Sequence, residues 1–328
     1  MLKDSTSSSL DILCGGVQTP VPEIYISCMR LPYYMLFYSH MEKISLDTPS
    51  ESNLDFDLYE SEVESTHGLV QISHGMAEHK GRYQEFINFL NMNGFHVAIH
   101  DHRGHGNNIL DNQIGFFDID DGWNLVVEDL LAIHSETNKL FPGLSKILLG
   151  HSMGSWIGLS ALQQNNSFDA VLLSGSSYPN SSETFLQKLF LKIEMFRLGK
   201  KGYSNPLHKT IFGGFNKKFK NTQTPNDWLS NDSDRVDNYT KDPLCGFIVS
   251  NQLWADVIEG IKSVFDPENL ALINKNIPIL VFSGTHDPVG AMGKGTTKLH
   301  ECLIENDCIS ELYLVDEARH ETLNETNR

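Results

Sequence analysis

The sequence predicts an α/β fold, in which a mostly parallel central sheet is flanked by helices and a mainly helical lid is inserted into the chain. Apolar runs that resemble strands alternate with helical segments both before residue 178 and after residue 276. This alternation is typical of a parallel sheet covered on both faces. Between these positions the alternation stops, and the interruption is longer than an ordinary connection, which indicates a functional insertion.

Each element is predicted from the spacing of its apolar residues. Alternating residues in 53–60 indicate a half-buried strand, whereas helical spacing through Tyr83, Phe86 and Leu90 ends at Gly94. The predicted strands are 53–60, 68–73, 95–99, 146–150, 169–174, 277–283 and 309–315. The predicted helices are 82–92, 121–140, 153–163, 182–197, 253–264 and 292–306.

The chain is predicted to divide into an extension, a core and a lid. Residues 1–40 show no clean helical or strand period, so we expect a disordered extension there. Residues 41–177 and 277–328 form the predicted core, and 178–276 form the inserted lid. The first 18 residues are polar and Ser-rich, and the apolar stretch 30–38 is too short to span a membrane. We therefore expect no signal peptide and no integral membrane association.

Net charge and cysteine content limit where the protein is expected to be located and which partners it is expected to bind. A formal net charge of −17 disfavours nucleic acid and anionic membrane surfaces as partners, because both are negatively charged. The five cysteines are odd in number and include no C-x-x-C pair, which favours reduced thiols in a cytoplasmic protein. They are Cys14, Cys28, Cys245, Cys302 and Cys308.

The strongest chemical signal is a G-x-S-x-G motif at 150–154, between a predicted strand and a predicted helix. A sharp strand-to-helix turn exposes the serine hydroxyl at the edge of a sheet, and the flanking glycines permit close backbone approach. Ser152 is therefore the predicted nucleophile. Because the motif occurs often by chance, the prediction depends on this strand and helix context.

A serine nucleophile needs a base and an orienting carboxylate, which in this kind of sheet follow in the order Ser, Asp or Glu, His. Asp287 follows the predicted strand 277–283, and His320 follows the strand 309–315. Both lie at carboxyl ends of strands, where open α/β sheets place their sites. His320 is predicted as base and Asp287 as its partner, with Asp316 as the alternative acid.

The backbone supplies the predicted oxyanion hole. Its donors are the N–H of Met153, after the nucleophile, and the N–H of Met76, in the loop after strand 68–73. The histidine-rich segment 100–105 lacks the ligand spacings of common zinc sites, so a loop hydrogen-bonded through Asp101 and Arg103 is favoured over a metal site. No metal and no organic cofactor is expected.

Taken together, these motifs resemble the monoacylglycerol lipase and lysophospholipase branch of the α/β-hydrolases, especially its bacterial members. The resemblance rests on residues 74–83, 101–106, 150–154, 287–290 and 318–321, and on the lid segments 212–217 and 242–247. It implies the α/β-hydrolase fold and hydrolysis of lipid esters through an acyl-enzyme on Ser152. It also implies a polar head-group site near Glu78, Arg82 and His151, and an apolar acyl channel under the lid.

Two departures from the family pattern leave alternatives open. Animal members carry a second histidine three residues after the catalytic one, where this chain has Leu323. The family continues into a final helix, whereas this chain ends at Arg328, so we expect an uncovered apolar patch that lowers stability or promotes association. The alternatives are a serine hydrolase of another bond type, such as a peptidase or acyltransferase, and a catalytically weakened lipid-binding homologue.

Overall fold

The computed structural model describes residues 41–47, 53–109, 113–164, 167–326 and 328. Within these ranges eight strands form one sheet in the order β1-β2-β4-β3-β5-β6-β7-β8. Strand β2 is antiparallel to β1 and β4, and every other neighbouring pair is parallel. The strands are β1 (Met41–Asp47), β2 (Asn53–Tyr59), β3 (Gly68–Ser73), β4 (Phe95–His100), β5 (Lys146–His151), β6 (Ala170–Ser174), β7 (Ile279–Gly284) and β8 (Ser310–Val315).

Helices connect the strands and cover both faces of the sheet, as predicted for the α/β-hydrolase class. They are α1 (Gln84–Met92), α2 (Gly122–Leu140), α3 (Met153–Gln164), α4 (Ser181–Leu198), α5 (Asn205–Asn216), α6 (Ser233–Lys241), α7 (Asn251–Val264), α8 (Pro267–Leu272) and α9 (Lys294–Glu305). Short 3-10 turns lie at Lys80–Tyr83, Gly106–Asn108 and Thr322–Asn324.

The apolar side chains of the strands pack into separate core clusters on the two faces of the sheet. In β5, Leu148 packs into the main cluster with residues of α2, α3, α7 and α9, whereas Ile147 and Leu149 pack on the other face with residues of α1. Successive side chains of a strand point to opposite faces, so an uninterrupted apolar run serves both clusters. At the sheet edge, β8 is only partly covered, and Tyr313 is 55% exposed.

The predicted elements agree with the structure to within a few residues, and four elements were not predicted. Segment 41–47 had no assigned element and forms β1, which pairs with β2. Helices α5, α6 and α8 lie in the segment where no alternation was found. Each follows a capping residue, Ser204, Asp232 or Asp266, whose side chain accepts a backbone N–H from the first turn.

The predicted lid segment 178–276 contains α4 to α8, and part of it packs against the core. Helix α7 packs on α2 and α3, and α8 packs on α3. Leu253 and Val257 of α7 belong to the main core cluster. The division at 178 and 276 stays a prediction, and the predicted extension 1–40 lies outside the described residues.

The cysteines in the described part of the chain are free thiols: Cys245, Cys302 and Cys308, all buried. Cys14 and Cys28 lie outside it. Among the helices described, none combines the length and the apolar character needed to cross a bilayer.

Candidate active site

Ser152 lies in the sharp turn between β5 and α3, in the left-handed region with a φ of +52°. A side chain on Gly154 would overlap the carbonyl oxygens of Ser73 and His74, and one on Gly150 would overlap the backbone of Gly154. The two glycines are therefore required by close packing of β3, β5 and α3. The strained backbone at a non-glycine residue is held in place by this packing, as is common at functional sites.

Asp287 and His320 meet at the carboxyl ends of β7 and β8. His320 Nδ1 lies 3.0 Å from Asp287 Oδ1, and the two side chains are 2% and 0% exposed. Asp287 also accepts hydrogen bonds from the Ser283 hydroxyl at 2.6 Å and from the Val289 N–H at 2.8 Å. Asp316, the alternative acid, is exposed and contacts Thr285. The structure therefore brings Asp287 to the histidine.

At the His320–Asp287 pair, burial and charge have opposite effects on the pKa of each residue. Burial raises the pKa of Asp287, but the charge and hydrogen bonds of His320 and Ser283 outweigh it and hold the pKa below its usual value. Burial lowers the pKa of His320, but the carboxylate of Asp287 outweighs it and raises the pKa above the usual value. The pair therefore favours an ionised carboxylate that supports positive charge on the imidazole.

Ser152 and His320 line the same cavity, whose volume is about 850 Å³. The Ser152 hydroxyl makes no hydrogen bond to any residue that the structure describes, His320 included. Catalytic hydrogen bonds of this kind often tighten only when substrate binds. The indole of Trp228 packs on the imidazole of His320, with ring centroids 5.2 Å apart, and limits its movement.

In the loop after β3, the Met76 N–H lies between two backbone donors that are already bonded. The Gly75 N–H donates to Glu78 Oε1 at 2.5 Å, and the Ala77 N–H donates to His105 Nε2 at 3.1 Å. Neither the Met76 N–H, between them, nor the Met153 N–H, at the first position of α3, donates to a described residue. Gly75 approaches Ser152 so closely that an added Cβ would lie 3.3 Å from the serine Cβ. Both predicted oxyanion donors therefore remain free near the serine.

The three predicted head-group residues all line a small cavity of about 20 Å³. Glu78 and His151 also line the large cavity, whereas Arg82 does not. Arg82 is paired with Glu78 and Glu321. Sequence reasoning missed Glu321 and Trp228. Glu321 could have been noticed from its place directly after His320, whereas nothing in the local sequence marks Trp228.

The large cavity is lined in good part by apolar and aromatic side chains. They come from helices α3 to α7 and from loops between elements. Among them are Trp156, Ile211, Phe212, Phe215, Trp228, Trp254, Val257, Ile258 and Ile261. This lining suits a ligand with an apolar tail that extends away from Ser152.

The histidine-rich segment 100–105 is a hydrogen-bonded loop, as predicted. Asp101 accepts from the backbone N–H groups of Lys80 and Asn107, both at 2.8 Å. Arg103 forms a two-pronged pair with Asp129 on α2, at 2.7 and 2.9 Å. These bonds fix the loop that supplies His105 to the Ala77 N–H.

Within the residues that the structure describes, one group of potential metal ligands lies close together: His79, Asp242 and Cys245. His79 Nε2 lies 3.0 Å from Asp242 Oδ2, so a hydrogen bond accounts for that contact. Burial raises the pKa of the Cys245 thiol, which disfavours the thiolate that a metal would need. The geometry is explained without an ion.

Comparison with known proteins shows the family of the chain. Residues 64–327 match the family model Hydrolase_4, described as serine aminopeptidase, S33. A monoglyceride lipase homolog of Monkeypox virus is 27% identical over 84% of this chain and 91% of its own length. The human monoglyceride lipase is 27% identical over 75% of this chain and 73% of its own.

A solved structure shares both fold and sequence with the chain. The thermostable carboxyl esterase of Bacillus coagulans, solved in complex with glycerol, superposes with a TM-score of 0.77. It is 26% identical and covers 87% of this chain and 92% of its own. This esterase therefore shares the fold of the chain.

Proposed function

The chain belongs to the Hydrolase_4 family of α/β-hydrolases and acts on carboxylic esters of lipids, and we propose that its substrate is a monoacylglycerol cleaved by Ser152, Asp287 and His320. The observation that carries the assignment of these residues is the buried His320–Asp287 pair, which faces the same cavity as the strained Ser152 turn. The order Ser152, Asp287, His320 along the chain, the one expected of a triad, supports the same assignment.

In the proposed mechanism Ser152 attacks the ester carbonyl while His320 takes its proton. Asp287 holds the Nδ1–H of the imidazole and stabilises the imidazolium that forms. His320 then protonates the leaving alcohol, which leaves an acyl group on the serine. Water activated by the same histidine releases the fatty acid and restores the hydroxyl.

The Met76 and Met153 N–H groups are the proposed oxyanion donors. Both are free of described partners, and the residues on either side of Met76 are fixed by Glu78 and His105. Donors held in place before the reaction stabilise developing charge without reorganisation. Loss of one such donor typically lowers turnover by about 10² to 10³.

The choice of monoacylglycerol is supported by the apolar cavity and by the names of the relatives, which include monoglyceride lipases of human and a poxvirus homolog. Lysophospholipids share one acyl ester and one polar head group, and they are the second substrate class. We further propose that α4, α5 and α6 form the lid. In support, Leu186, Phe212 and Tyr239, one from each helix, line the cavity.

Replacing the nucleophile tests the proposal directly. We expect Ser152→Ala to abolish hydrolysis of a short p-nitrophenyl ester and labelling by a fluorophosphonate probe, because no other hydroxyl is placed at the strained turn. Ser177→Ala is the matched control, since Ser177 lines the same cavity but donates to the Tyr178 carbonyl. Labelling that persists in Ser152→Ala would remove Ser152 from this role.

A second candidate function is peptide hydrolysis, which the description of the family itself favours. The two functions share the triad, so fold and site geometry are compatible with both. Side-by-side rates on monoacylglycerols, lysophospholipids and aminoacyl amides separate them. We expect the ester rates to exceed the amide rates, and an amide preference would favour the peptidase.

We also propose a cytoplasmic location and no nucleic-acid partner. The support is the formal charge of −17 and the three buried thiols. A retarded DNA band at moderate salt, or recovery from a membrane pellet after salt washing, would contradict these proposals.

A further inference from the structure

We propose that Arg82 is a positioning residue that couples the oxyanion loop, residues 74–79, to the histidine loop, residues 316–325, and that it does not bind the substrate head group. The coupling runs through the Arg82 bridge, which we define as Arg82 with Glu78 and Glu321. This inference builds on the proposed function, because it assigns a role within the same site.

The bridge joins one carboxylate from each loop to a single guanidinium. Arg82 donates from Nη1 to Glu321 Oε1 at 2.6 Å and from Nη2 to Glu321 Oε2 at 2.7 Å. Nη1 also donates to Glu78 Oε2. The side chains of Glu78, Glu321 and Arg82 are 4%, 5% and 11% exposed, so solvent screens these contacts little. The Glu321 pair has the parallel geometry that makes arginine–carboxylate contacts strong and directional.

On one side, the bridge fixes the oxyanion loop. Glu78 Oε1 accepts the Gly75 N–H at 2.5 Å and the Tyr83 hydroxyl at 2.9 Å. Gly75 directly precedes Met76, so the backbone conformation of Gly75 sets the direction of the Met76 N–H. Movement of the Glu78 carboxylate would therefore move a proposed oxyanion donor.

On the other side, the bridge fixes the histidine loop. Glu321 directly follows His320, and its side chain is also bonded by the Asn324 amide at 3.0 Å. Its backbone N–H donates to the Leu229 carbonyl at 2.8 Å. Glu321 is thus held at both its side chain and its backbone. Because His320 is its direct neighbour, a displacement of Glu321 would also displace His320.

Charge explains why both loops need this arginine. Burial raises the pKa of Glu78, but Arg82 and the nearby histidines outweigh it and lower the pKa to about 2. Without Arg82, two buried carboxylates would face each other, which favours separation or protonation of one of them. A lysine keeps the charge but lacks the planar fork, so it cannot reproduce three contacts in fixed geometry.

Space and geometry argue against a head-group role for Arg82. It does not line the large cavity that contains Ser152. The small cavity beside it measures about 20 Å³, which has room for about one water molecule and not for a glycerol. Its guanidinium also stacks over the Tyr239 ring at 4.7 Å, which closes one side.

The experiment compares Arg82→Lys and Arg82→Met on two esters, a 1-monoacylglycerol and a p-nitrophenyl ester of the same acyl chain. Positioning predicts that kcat falls on both substrates by a similar factor, about 10²-fold for a displacement near 1 Å, with little change in KM. It also predicts that Arg82→Lys retains more activity than Arg82→Met. A rise in KM confined to the monoacylglycerol, with normal turnover of the p-nitrophenyl ester, would overturn the inference in favour of head-group binding.

Lys146→Met is the control for general destabilisation. Lys146 is 2% exposed, and its ammonium donates to the carbonyls of Phe141 and Leu144 at the amino end of β5, the opposite end of that strand from Ser152. We expect a comparable fall in Tm with a much smaller fall in kcat, because these contacts join neither the oxyanion loop nor the histidine loop. Equal losses of kcat in the Lys146 and Arg82 variants at equal Tm would reduce Arg82 to a structural role.

Hydrogen exchange tests the coupling independently of activity. Glu321→Gln alters only the histidine-loop side of the bridge and nearly preserves its shape. We expect peptides covering 75–79, as well as those covering 318–324, to exchange at least several-fold faster in this variant. Faster hydrogen exchange confined to 318–324 would overturn the proposed coupling, whether or not the protein is an active esterase. A wild-type protein without esterase activity would overturn only the proposed function.

Discussion

At the scale of single residues, His320 controls when the site can act. Its imidazole faces Asp287 at 3.0 Å, lies next to Glu321 in the chain, and has the His151 ring 4.9 Å away. Burial lowers its pKa and the carboxylate of Asp287 outweighs burial, so the pKa lies above the usual 6.5. A general base must be neutral, and protonation of His320 therefore removes it from catalysis.

This environment predicts the pH dependence of hydrolysis. We expect kcat/KM for the p-nitrophenyl ester to fall as the pH decreases through a midpoint above 6.5, because His320 is protonated there. Asp287→Asn should move the midpoint down, since it removes the charge that raises the pKa, and should lower kcat by about 10⁴. The pH–rate profiles of both proteins check this. A midpoint that stays in place in Asp287→Asn would contradict the assigned cause.

Sequence reasoning reached Ser152, Asp287 and His320 because each follows a strongly apolar strand at its carboxyl end. Parallel strands bring such positions to one edge of the sheet without any knowledge of side-chain contacts. Glu321 and Trp228 could not be found this way. Their roles depend on contacts with Arg82 and His320 that span 239 and 92 residues of chain.

At the scale of elements, the glycines of two helices differ in their surroundings. Gly260 in α7 faces α2 so closely that an added Cβ would overlap the Trp123 indole. Gly213 in α5 has no atom within 4 Å of that position. Both lie inside helices, where glycine is intrinsically less favourable than alanine.

The two positions therefore give opposite predictions for the same change. We expect Gly260→Ala to lower the free energy of unfolding by about 1–3 kcal/mol, because the methyl group forces α7 away from α2. Gly213→Ala should raise it by about 0.5–1 kcal/mol, because it restricts the unfolded chain without a clash. Urea unfolding of both variants measures the difference. A stabilised Gly260→Ala would mean that α7 does not pack on α2 as described.

Helices α5, α6 and α8 show how local signals were missed. Ser204 and Asp266 cap helices that have proline in the first turn, a pattern visible in the sequence. These helices lack a long regular apolar period, so the period alone predicts no element there. The helix at 253–264 was predicted from the sequence, and in the structure its apolar residues Leu253 and Val257 belong to the main core cluster.

At the scale of the whole molecule, buried histidines link stability to pH. His100 is fully buried, both its ring nitrogens lack a partner among the described residues, and its ring lies 4.8 Å from that of His102. Burial, followed by the charge of His74, lowers its pKa from 6.5 to about 3. Between these values the unfolded chain binds a proton that the folded chain does not.

The sign of this linkage is a loss of stability in acid. Below pH 6.5 the free energy of unfolding should fall, and between pH 7 and pH 5 His100 alone should account for about 2 kcal/mol. We expect His100→Leu to reduce the difference between the free energies of unfolding at pH 7 and at pH 5 by about that amount. Leu69→Ala, at a buried position of β3 without an ionisable side chain, is the control; it should lower stability at both pH values and leave the difference unchanged. If the difference in unfolding free energy between pH 7 and pH 5 is the same in His100→Leu as in the wild type, His100 is protonated as readily in the folded protein as in the unfolded chain.

The sequence by itself determined the fold class and the strands at whose ends the predicted nucleophile and base lie, and it left the acid open between Asp287 and Asp316. These follow from local periodicity and from the geometry of parallel strands, which any chain with this pattern must obey. Only the tertiary structure decided that Asp287 rather than Asp316 meets His320, that α7 and α8 pack on the core, and that Arg82 is bonded to Glu321. The reason is physical: such choices depend on side chains brought together across long stretches of chain, where burial and charge act between residues that the sequence keeps apart.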